Sequence, residues 1–161
     1  MLRNLKILLI LSVAIWGLLG VFGNILDWGG TTGAVSVATS MSTFDGGTDD
    51  WRATSNPAII LAGALSIVLL KSFTAILCLI GAWRMWTARA ADAAVFAKAK
   101  TYALAGCAVA IFMLFFGWIV IAETWFELWR SEVMREAALD AAFRYCGMIG
   151  VIALFVGMPD E

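Results

Sequence analysis

The sequence predicts an all-α fold, a four-helix transmembrane bundle that forms a single integral membrane domain over residues 1–161. Hydrophobic residues make up 62% of the chain and charged residues only 14%, whereas soluble globular domains have about 45–50% and about 25%. Four long apolar runs are separated by polar segments, and about 20 apolar residues suffice for a helix to cross a bilayer. A soluble chain of this size could not bury so much apolar surface.

The composition also excludes several functional classes. The net charge is −1 without a basic block, so no nucleic acid is expected as a partner. The absence of histidine excludes histidine-ligated haem, histidine-containing zinc sites and Ser–His or Cys–His nucleophile pairs. Cys78, Cys107 and Cys146 lie in apolar runs without a CxxC spacing, as packing residues do. We therefore expect no enzyme activity, no metal and no cofactor.

The first apolar run has the length of a membrane span. Residues 7–26 carry no charge, and Arg3 and Lys6 precede them, as basic residues precede the apolar region of a signal peptide. The run is longer than the apolar region of a usual signal peptide, and no small-x-small cleavage site follows it. We therefore predict a retained first helix over about residues 5–26.

Residues 27–57 differ sharply from the run before them. Glycine, threonine, serine and aspartate dominate this segment, and Pro57 ends it at a position that suits the first turn of a helix. A connection of this length is longer than most connections in a compact bundle. The sequence predicts a long ordered external loop that folds over the helix ends.

The remaining apolar runs predict helices over about residues 58–84, 100–130 and 139–158. The second run is interrupted by Lys71, the third is free of charge from residue 101 to residue 122, and the fourth has Arg144 near its start. Each run exceeds or approaches the length needed to span the hydrocarbon core.

The segment after the third run has an amphipathic pattern. Trp125, Trp129, Val133 and Ala137 recur every four residues, and charged residues lie between them. Such a helix continues the third span beyond the bilayer or bends into the interface. We favour continuation followed by a short turn.

The distribution of lysine and arginine predicts the orientation. Positive residues are enriched on the cytoplasmic side of membrane proteins. With the N-terminus inside, six basic residues fall on the inner side: Arg3, Lys6, Arg84, Arg89, Lys98 and Lys100. Four fall outside: Arg52, Arg130, Arg135 and Arg144. We expect a bacterial inner-membrane protein with both termini in the cytoplasm.

Lys71 is the first candidate for a functional residue. An ionisable side chain this deep in a span has a high free-energy cost of insertion, and such a residue is by default a candidate for a functional role. Thr74 and Cys78 follow at i+3 and i+7, which predicts a stripe that faces the bundle interior or a partner. Three interpretations are open: a structural lysine, contact with another subunit, and a role in the passage of an ion or substrate.

A second candidate is a set of charged and aromatic residues at the outer helix ends. Its members are Asn24, Asp27, Trp28, Trp51, Arg52, Glu123, Glu127, Arg130 and Arg144. One interpretation is a salt-bridged plug that fixes the loop, in which Arg52 pairs with Asp27 or Glu123. The other is an outward-facing pocket for a lipid or quinone head group.

Small residues recur every three positions in the first and fourth helices. They are Ala14, Gly17, Gly20 and Gly23, and Gly147, Gly150 and Ala153. Small residues let helices approach closely in a bilayer. This spacing predicts helix packing, either within the chain or with a partner.

Several segments together resemble a bacterial family of predicted small integral membrane proteins, a domain family of unknown function. The segments are residues 21–29, 41–44, 51–58, 74–82, 123–129 and 142–144. The resemblance covers nearly the whole chain and implies four helices and an inner-membrane location. It implies no reaction.

These observations lead to two functional expectations. The first is a non-catalytic accessory or scaffolding subunit, with the lipid bilayer and a larger membrane complex or a second copy of the chain as partners. The alternative is a small transporter or a membrane protein that binds a lipid-like or quinone-like ligand through Lys71 and the outer charged residues. A cavity lined by Lys71 would favour the alternative.

Overall fold

A computed structural model describes residues 1–160, in which four helices are long and apolar enough to cross a membrane. This confirms the predicted four-helix transmembrane fold. A shorter fifth helix lies between the first two spans. In chain order the helices are α1 (Leu2–Leu26), α2 (Trp28–Ser40), α3 (Pro57–Thr87), α4 (Ala93–Trp125) and α5 (Glu132–Gly157).

The spans alternate in direction and pack in chain order, α1 on α3, α3 on α4 and α4 on α5. One end of the bundle, here the terminal end, carries residues 1–6, 88–92 and 158–160. The other, here the loop end, carries residues 41–56 and 126–131. The largest cluster of buried apolar side chains is concentrated toward the terminal end and includes Ile7, Ile10, Met85, Phe96 and Val156.

Glycines allow α3 and α4 to pack with their backbones in close contact. A Cβ atom at Gly81 would collide with the Ala103 backbone, and one at Gly106 would lie 2.5 Å from the Cys78 sulfur. Close backbone approach is the usual basis of helix association in a bilayer, where apolar side chains gain little by leaving lipid. The α3–α4 contact therefore leaves no room for a larger side chain at either glycine.

The prediction of a loop throughout residues 27–57 is wrong, because residues 28–40 form α2. Asp27 separates α1 from α2: its backbone N–H donates to the Gly23 carbonyl at 2.9 Å, and its carboxylate accepts from the Gly30 N–H at 2.9 Å. This carboxylate is the N-cap of α2. Glycine, serine and threonine are weak helix formers, so the helix depends on packing that the local sequence does not reveal, including the contact of Val35 with Gly63.

The prediction that the third helix continues to about residue 130 is also wrong. α4 begins at Ala93 and ends at Trp125, and α5 begins at Glu132, earlier than predicted. Between them Glu127 adopts a left-handed conformation with φ 51°, and the Ser131 hydroxyl accepts from the Met134 N–H at 3.1 Å as an N-cap. The reversal separates Trp125 from the other members of the amphipathic pattern.

Two segments at the loop half of the bundle are wound as π-helices. They are Met113–Trp125 in α4 and Arg135–Asp140 in α5. At the end of the first, the Phe126 N–H donates to the carbonyl of Ile121, five residues earlier, at 3.0 Å. π-Helical turns are uncommon and occur frequently at functional sites. Residues from both segments line a cavity described below.

Candidate functional site

Lys71 lies at the middle of α3 and its side chain faces α1. A Cβ atom at Gly20 would lie 3.0 Å from Lys71 Cδ, so the glycine makes room for the lysine side chain. Lys71 Nζ donates to Asn24 Oδ1 at 2.7 Å and lies 5.9 Å from the centre of the Trp16 ring. This geometry agrees with the prediction that Lys71 faces protein. Whether the residue is functional stays a prediction.

Asn24 is held in position by Thr31 across the break between α1 and α2. The side-chain amide nitrogen of Asn24 donates to Thr31 Oγ1 at 2.9 Å, and the Thr31 hydroxyl donates to the backbone carbonyl of Asn24 at 3.0 Å. These bonds aim the amide oxygen at Lys71. Asn24, which we expected in the outer cluster, therefore belongs with the intramembrane lysine.

Lys71 has no carboxylate within 4.0 Å among residues 1–160, whereas other basic residues do. Lys6 and Lys100 pair with Asp160. Arg52 pairs with Asp50 and Glu127. Lys71 donates one hydrogen bond to the Asn24 amide oxygen, which leaves two of its three ammonium N–H donors for another acceptor.

Lys71 lines a cavity of about 550 Å³ between α1, α3, α4 and α5. This cavity, here the lysine cavity, has Lys71 as the only charged side chain in its described lining. Trp16, Trp118 and Tyr145 contribute aromatic walls, and the Trp16 and Tyr145 rings lie 5.6 Å apart. A mostly apolar cavity of this size with few polar groups is typical of small-molecule sites.

A second depression, here the apolar groove, lies between α2, α3 and α4. Its volume is about 500 Å³, and no charged side chain lines it within residues 1–160. Met113 and Trp118 contribute to the walls of both the groove and the lysine cavity.

Thr74 and Cys78 do not share the lysine cavity, so the predicted stripe divides. Both side chains are fully buried. Cys78 Sγ lies 3.9 Å from the Ala103 carbonyl of α4. Lys71 contacts Gly20 and Asn24 of α1 instead, although positions i+3 and i+7 lie within about 60° of it around the helix. Both residues are therefore part of the α3–α4 packing.

Arg52 docks the loop onto the bundle, although its partners differ from those predicted. Its guanidinium contacts Asp50 at 2.8 Å and Glu127 at 2.7 Å, and it donates to the Trp125 carbonyl at 2.9 Å. Pairing with Asp27 or Glu123 was wrong, since Asp27 caps α2 and the nearer acids satisfy the arginine fork. The hydrogen bonds from Arg52 lower the pKa of Asp50 to about 2 and also lower the pKa of Glu127.

Further contacts close the loop end of the bundle. Arg130 donates to Glu127 at 3.0 Å and to the Asp45 carbonyl at 3.1 Å, and it lies over the Phe44 ring. The Trp51 and Trp125 rings meet edge to face at 5.7 Å. This arrangement has the geometry of the plug interpretation.

The other predicted members of the outer cluster lie elsewhere. Glu123 is half-buried and makes no hydrogen bond or ion pair with the described residues. Arg144 is exposed and lies 5.7 Å from the Tyr145 ring centre. Trp28 begins α2, where its carbonyl accepts from Thr32.

A buried ion cluster at the terminal end was not predicted. Lys6 and Lys100 both bind the Asp160 carboxylate and donate to the Met158 carbonyl at 2.8 Å, and all three charged side chains are 3% exposed. Burial raises the pKa of Asp160, but the hydrogen bonds from Lys100 and Lys6 outweigh it and lower the pKa. The sequence feature that could have indicated this cluster is the acid Asp160 directly after Pro159, since Lys6 and Lys100 are expected at the same end of the bundle.

Comparison with known families identifies the chain. Residues 2–159 match the family described as "Predicted small integral membrane protein (DUF2165)". The chain belongs to this family, whose description gives a membrane location and no activity. Neither the curated proteins nor the solved structures contain a match.

Proposed function

We propose that this small integral membrane protein binds a membrane-soluble ligand with an acidic head group, a carboxylate or a phosphate, in the lysine cavity. The observation that carries the proposal is the position of Lys71, which lines this cavity without a carboxylate partner among the described residues. The proposal favours the ligand-binding alternative over the accessory role.

The argument is one of charge balance. A lysine near the centre of a span costs about 2.5–3.5 kcal/mol on insertion scales. The Asn24 amide offers Lys71 one neutral acceptor. An anion would supply both a further acceptor and the missing charge, and charge-assisted hydrogen bonds are about twice as strong as neutral ones.

The cavity walls restrict the rest of the ligand. Apart from Lys71, the lining consists of apolar and aromatic side chains, including Trp16, Leu19, Met134 and Tyr145. Such walls suit a ligand with an apolar body and a single charged group. A small hydrophilic anion would leave them uncovered.

Binding measurements with matched variants test the proposal. The purified chain in phosphatidylcholine nanodiscs is titrated with palmitate, hexadecyl phosphate and, as a neutral analogue, hexadecanol. Lys71→Met should weaken binding of the palmitate or the phosphate about tenfold or more, because a charge-assisted contact is lost. Lys71→Arg should retain part of it, and Lys98→Met, a change at an exposed lysine outside the cavity, should have no effect.

Two outcomes would contradict the proposal. One is equal binding of both acids by the native chain and Lys71→Met. The other is binding of a ubiquinone analogue or hexadecanol with no binding of either acid, which would replace the acidic ligand by a neutral one.

The accessory role is the second candidate, and the outer face of α5 favours it. A Cβ atom at Gly147 or Gly150 would meet no atom within 4 Å, so these small residues are not used for packing within the chain. Small residues on a lipid-facing surface suit a second helix. Purification in mild detergent followed by native mass spectrometry tests this role: a complex that Gly150→Leu disrupts supports it, and a monomer argues against it.

The orientation is part of the same proposal. We place the protein in a bacterial inner membrane with both termini in the cytoplasm, on the six-to-four excess of basic residues. In a Cys146→Ala background, an impermeant thiol reagent applied outside should label Thr48→Cys and not Ala90→Cys, both at exposed positions. The reverse pattern would invert the topology.

A further inference from the structure

The geometry points to a two-compartment ligand site, in which the apolar groove holds the hydrocarbon chain of the ligand whose acidic head lies at Lys71. This inference rests on the proposed function and narrows its ligand to a long-chain acidic amphiphile, such as a fatty acid or an alkyl phosphate. It concerns a surface of α2, α3 and α4 that the head-group argument does not use.

The first observation is continuity between the two compartments. Met113 and Trp118 of α4 line both, so the two compartments meet at these side chains. On α3 two consecutive residues line different compartments: Leu70 lines the groove and Lys71 lines the lysine cavity. Methionine is flexible and adapts to irregular shapes. A chain that leaves the lysine cavity past Met113 therefore enters the groove.

The second observation is the chemical contrast between the compartments. The lysine cavity has a cation on its wall, whereas the groove has none and is lined by side chains such as Ile59, Ile67 and Phe116. Ser66 in the groove donates its hydroxyl to the Gly63 carbonyl at 2.7 Å, so this polar group is already bonded. A polar ligand would gain no strong contact there, and an alkyl chain would be accommodated.

The third observation concerns the wall itself. Met113 and Trp118 belong to the π-helical segment Met113–Trp125, and π-helical turns are frequently found at functional sites. Gly117 lies in the groove wall next to Trp118, and a Cβ atom there would meet nothing within 4 Å. The groove is therefore open beside the wall.

Gly117→Leu tests the inference, because the new side chain fills the groove without a clash at its first atom. In nanodiscs the variant should weaken palmitate binding about tenfold, through lost chain contacts, and leave octanoate binding unchanged. Gly147→Leu is the matched control, since this helical glycine is equally unobstructed and lines neither compartment. The control should bind both acids as the native chain does.

A photoreactive ligand locates the chain directly. Palmitate with a diazirine at its methyl end should label groove residues such as Ile67 and Phe116, and Lys71→Met and Gly117→Leu should each abolish the labelling. Labelling that persists in Lys71→Met would mean that bilayer lipid or a partner helix, and not the chain of the bound acid, occupies the groove.

The two proposals fail in different ways. If palmitate and octanoate both bind through Lys71, but Gly117→Leu does not weaken palmitate binding relative to octanoate binding, the two-compartment site is wrong and the head-group site stands. If the native chain binds neither acid, both proposals are wrong.

Discussion

The two halves of the bundle use lysine in opposite ways. In the terminal half Lys6 and Lys100 are buried, and both bind the Asp160 carboxylate. In the loop half Lys71 contacts only the neutral Asn24 amide among hydrogen-bond acceptors and lines a cavity. The comparison teaches that the role of a lysine inside a membrane protein is inferred from whether a carboxylate balances its charge. The fold satisfies a paired charge and leaves an unpaired one unsatisfied.

Packing separates the halves in the same way. Toward the terminal end, Gly81 and Gly106 bring α3 and α4 into backbone contact, and buried side chains fill the remaining space. Toward the loop end, π-helical winding in α4 accompanies the lysine cavity and the apolar groove. One half holds the bundle together, and the other provides space that a ligand can occupy.

The largest effect should follow loss of the acid in the terminal half. Asp160→Ala leaves Lys6 and Lys100 buried without a carboxylate, and removing one partner from a buried ion pair costs about 3–5 kcal/mol. Thermal unfolding in detergent should show a large decrease in Tm. Asp92→Ala, at an exposed position without a side-chain cap bond, should leave Tm unchanged. Equal Tm values for both variants would remove the contrast between the halves.

A smaller, local effect should follow loss of Arg52. Arg52→Ala removes the contacts with Asp50, Glu127 and the Trp125 carbonyl, so residues 41–56 should loosen. Limited proteolysis should cut this segment several times faster, with partial rescue by Arg52→Lys, which lacks the bidentate fork. Arg144→Ala is the control, because Arg144 is exposed and contacts only the Tyr145 ring among residues 1–160. No change in the cleavage rate of Arg52→Ala would show that other contacts hold the loop.

Acid should loosen the same loop. Arg52 lowers the pKa of Asp50 from 3.8 to about 2 and also lowers the pKa of Glu127. Because these pKa values are lower in the folded state, the two acids stabilise the loop above their ordinary pKa values and lose that effect as the pH falls. For Asp50 the loss should run from pH 3.8 to about pH 2. Tryptophan fluorescence can follow this loosening, because Trp51 contacts Trp125 edge to face. The pH dependence of the fluorescence should be lost in Arg52→Ala.

The smallest effect on stability should come from Lys71. Lys71→Met removes a costly charge from the span and leaves the Asn24 oxygen without this donor, so the two changes offset each other to within about 1 kcal/mol. Tm in detergent should stay close to that of the native chain although ligand binding is lost. A decrease as large as that of Asp160→Ala would make Lys71 a structural lysine.

Local sequence was sufficient to predict the spans, and it singled out Lys71 as a candidate whose function stays a prediction. A run of about 20 apolar residues specifies a membrane helix by composition alone, and a lone charge within such a run stands out. Arg52 was recognised as the residue that docks the loop, since its fork suits a carboxylate. Its partner Asp50 was missed although it lies only two residues earlier.

Features that depend on tertiary packing were missed. The helix formed by Trp28–Ser40 has little intrinsic propensity and is supported by contacts with α3, such as Val35 with Gly63. The Lys6–Asp160 pair joins residues 154 positions apart. Cavities are properties of packed side chains, so no local pattern indicated the space beside Lys71.

Photo-crosslinking of the head group tests the central claim most directly. Palmitate with a diazirine next to its carboxylate is irradiated with the protein in nanodiscs, and the labelled residues are identified by mass spectrometry. The account predicts labelling of residues around Lys71, such as Trp16 and Tyr145 in the lysine cavity, and loss of that labelling in Lys71→Met but not in Lys98→Met. Equal labelling in Lys71→Met, or labelling only of lipid-facing residues outside the cavity, would contradict it.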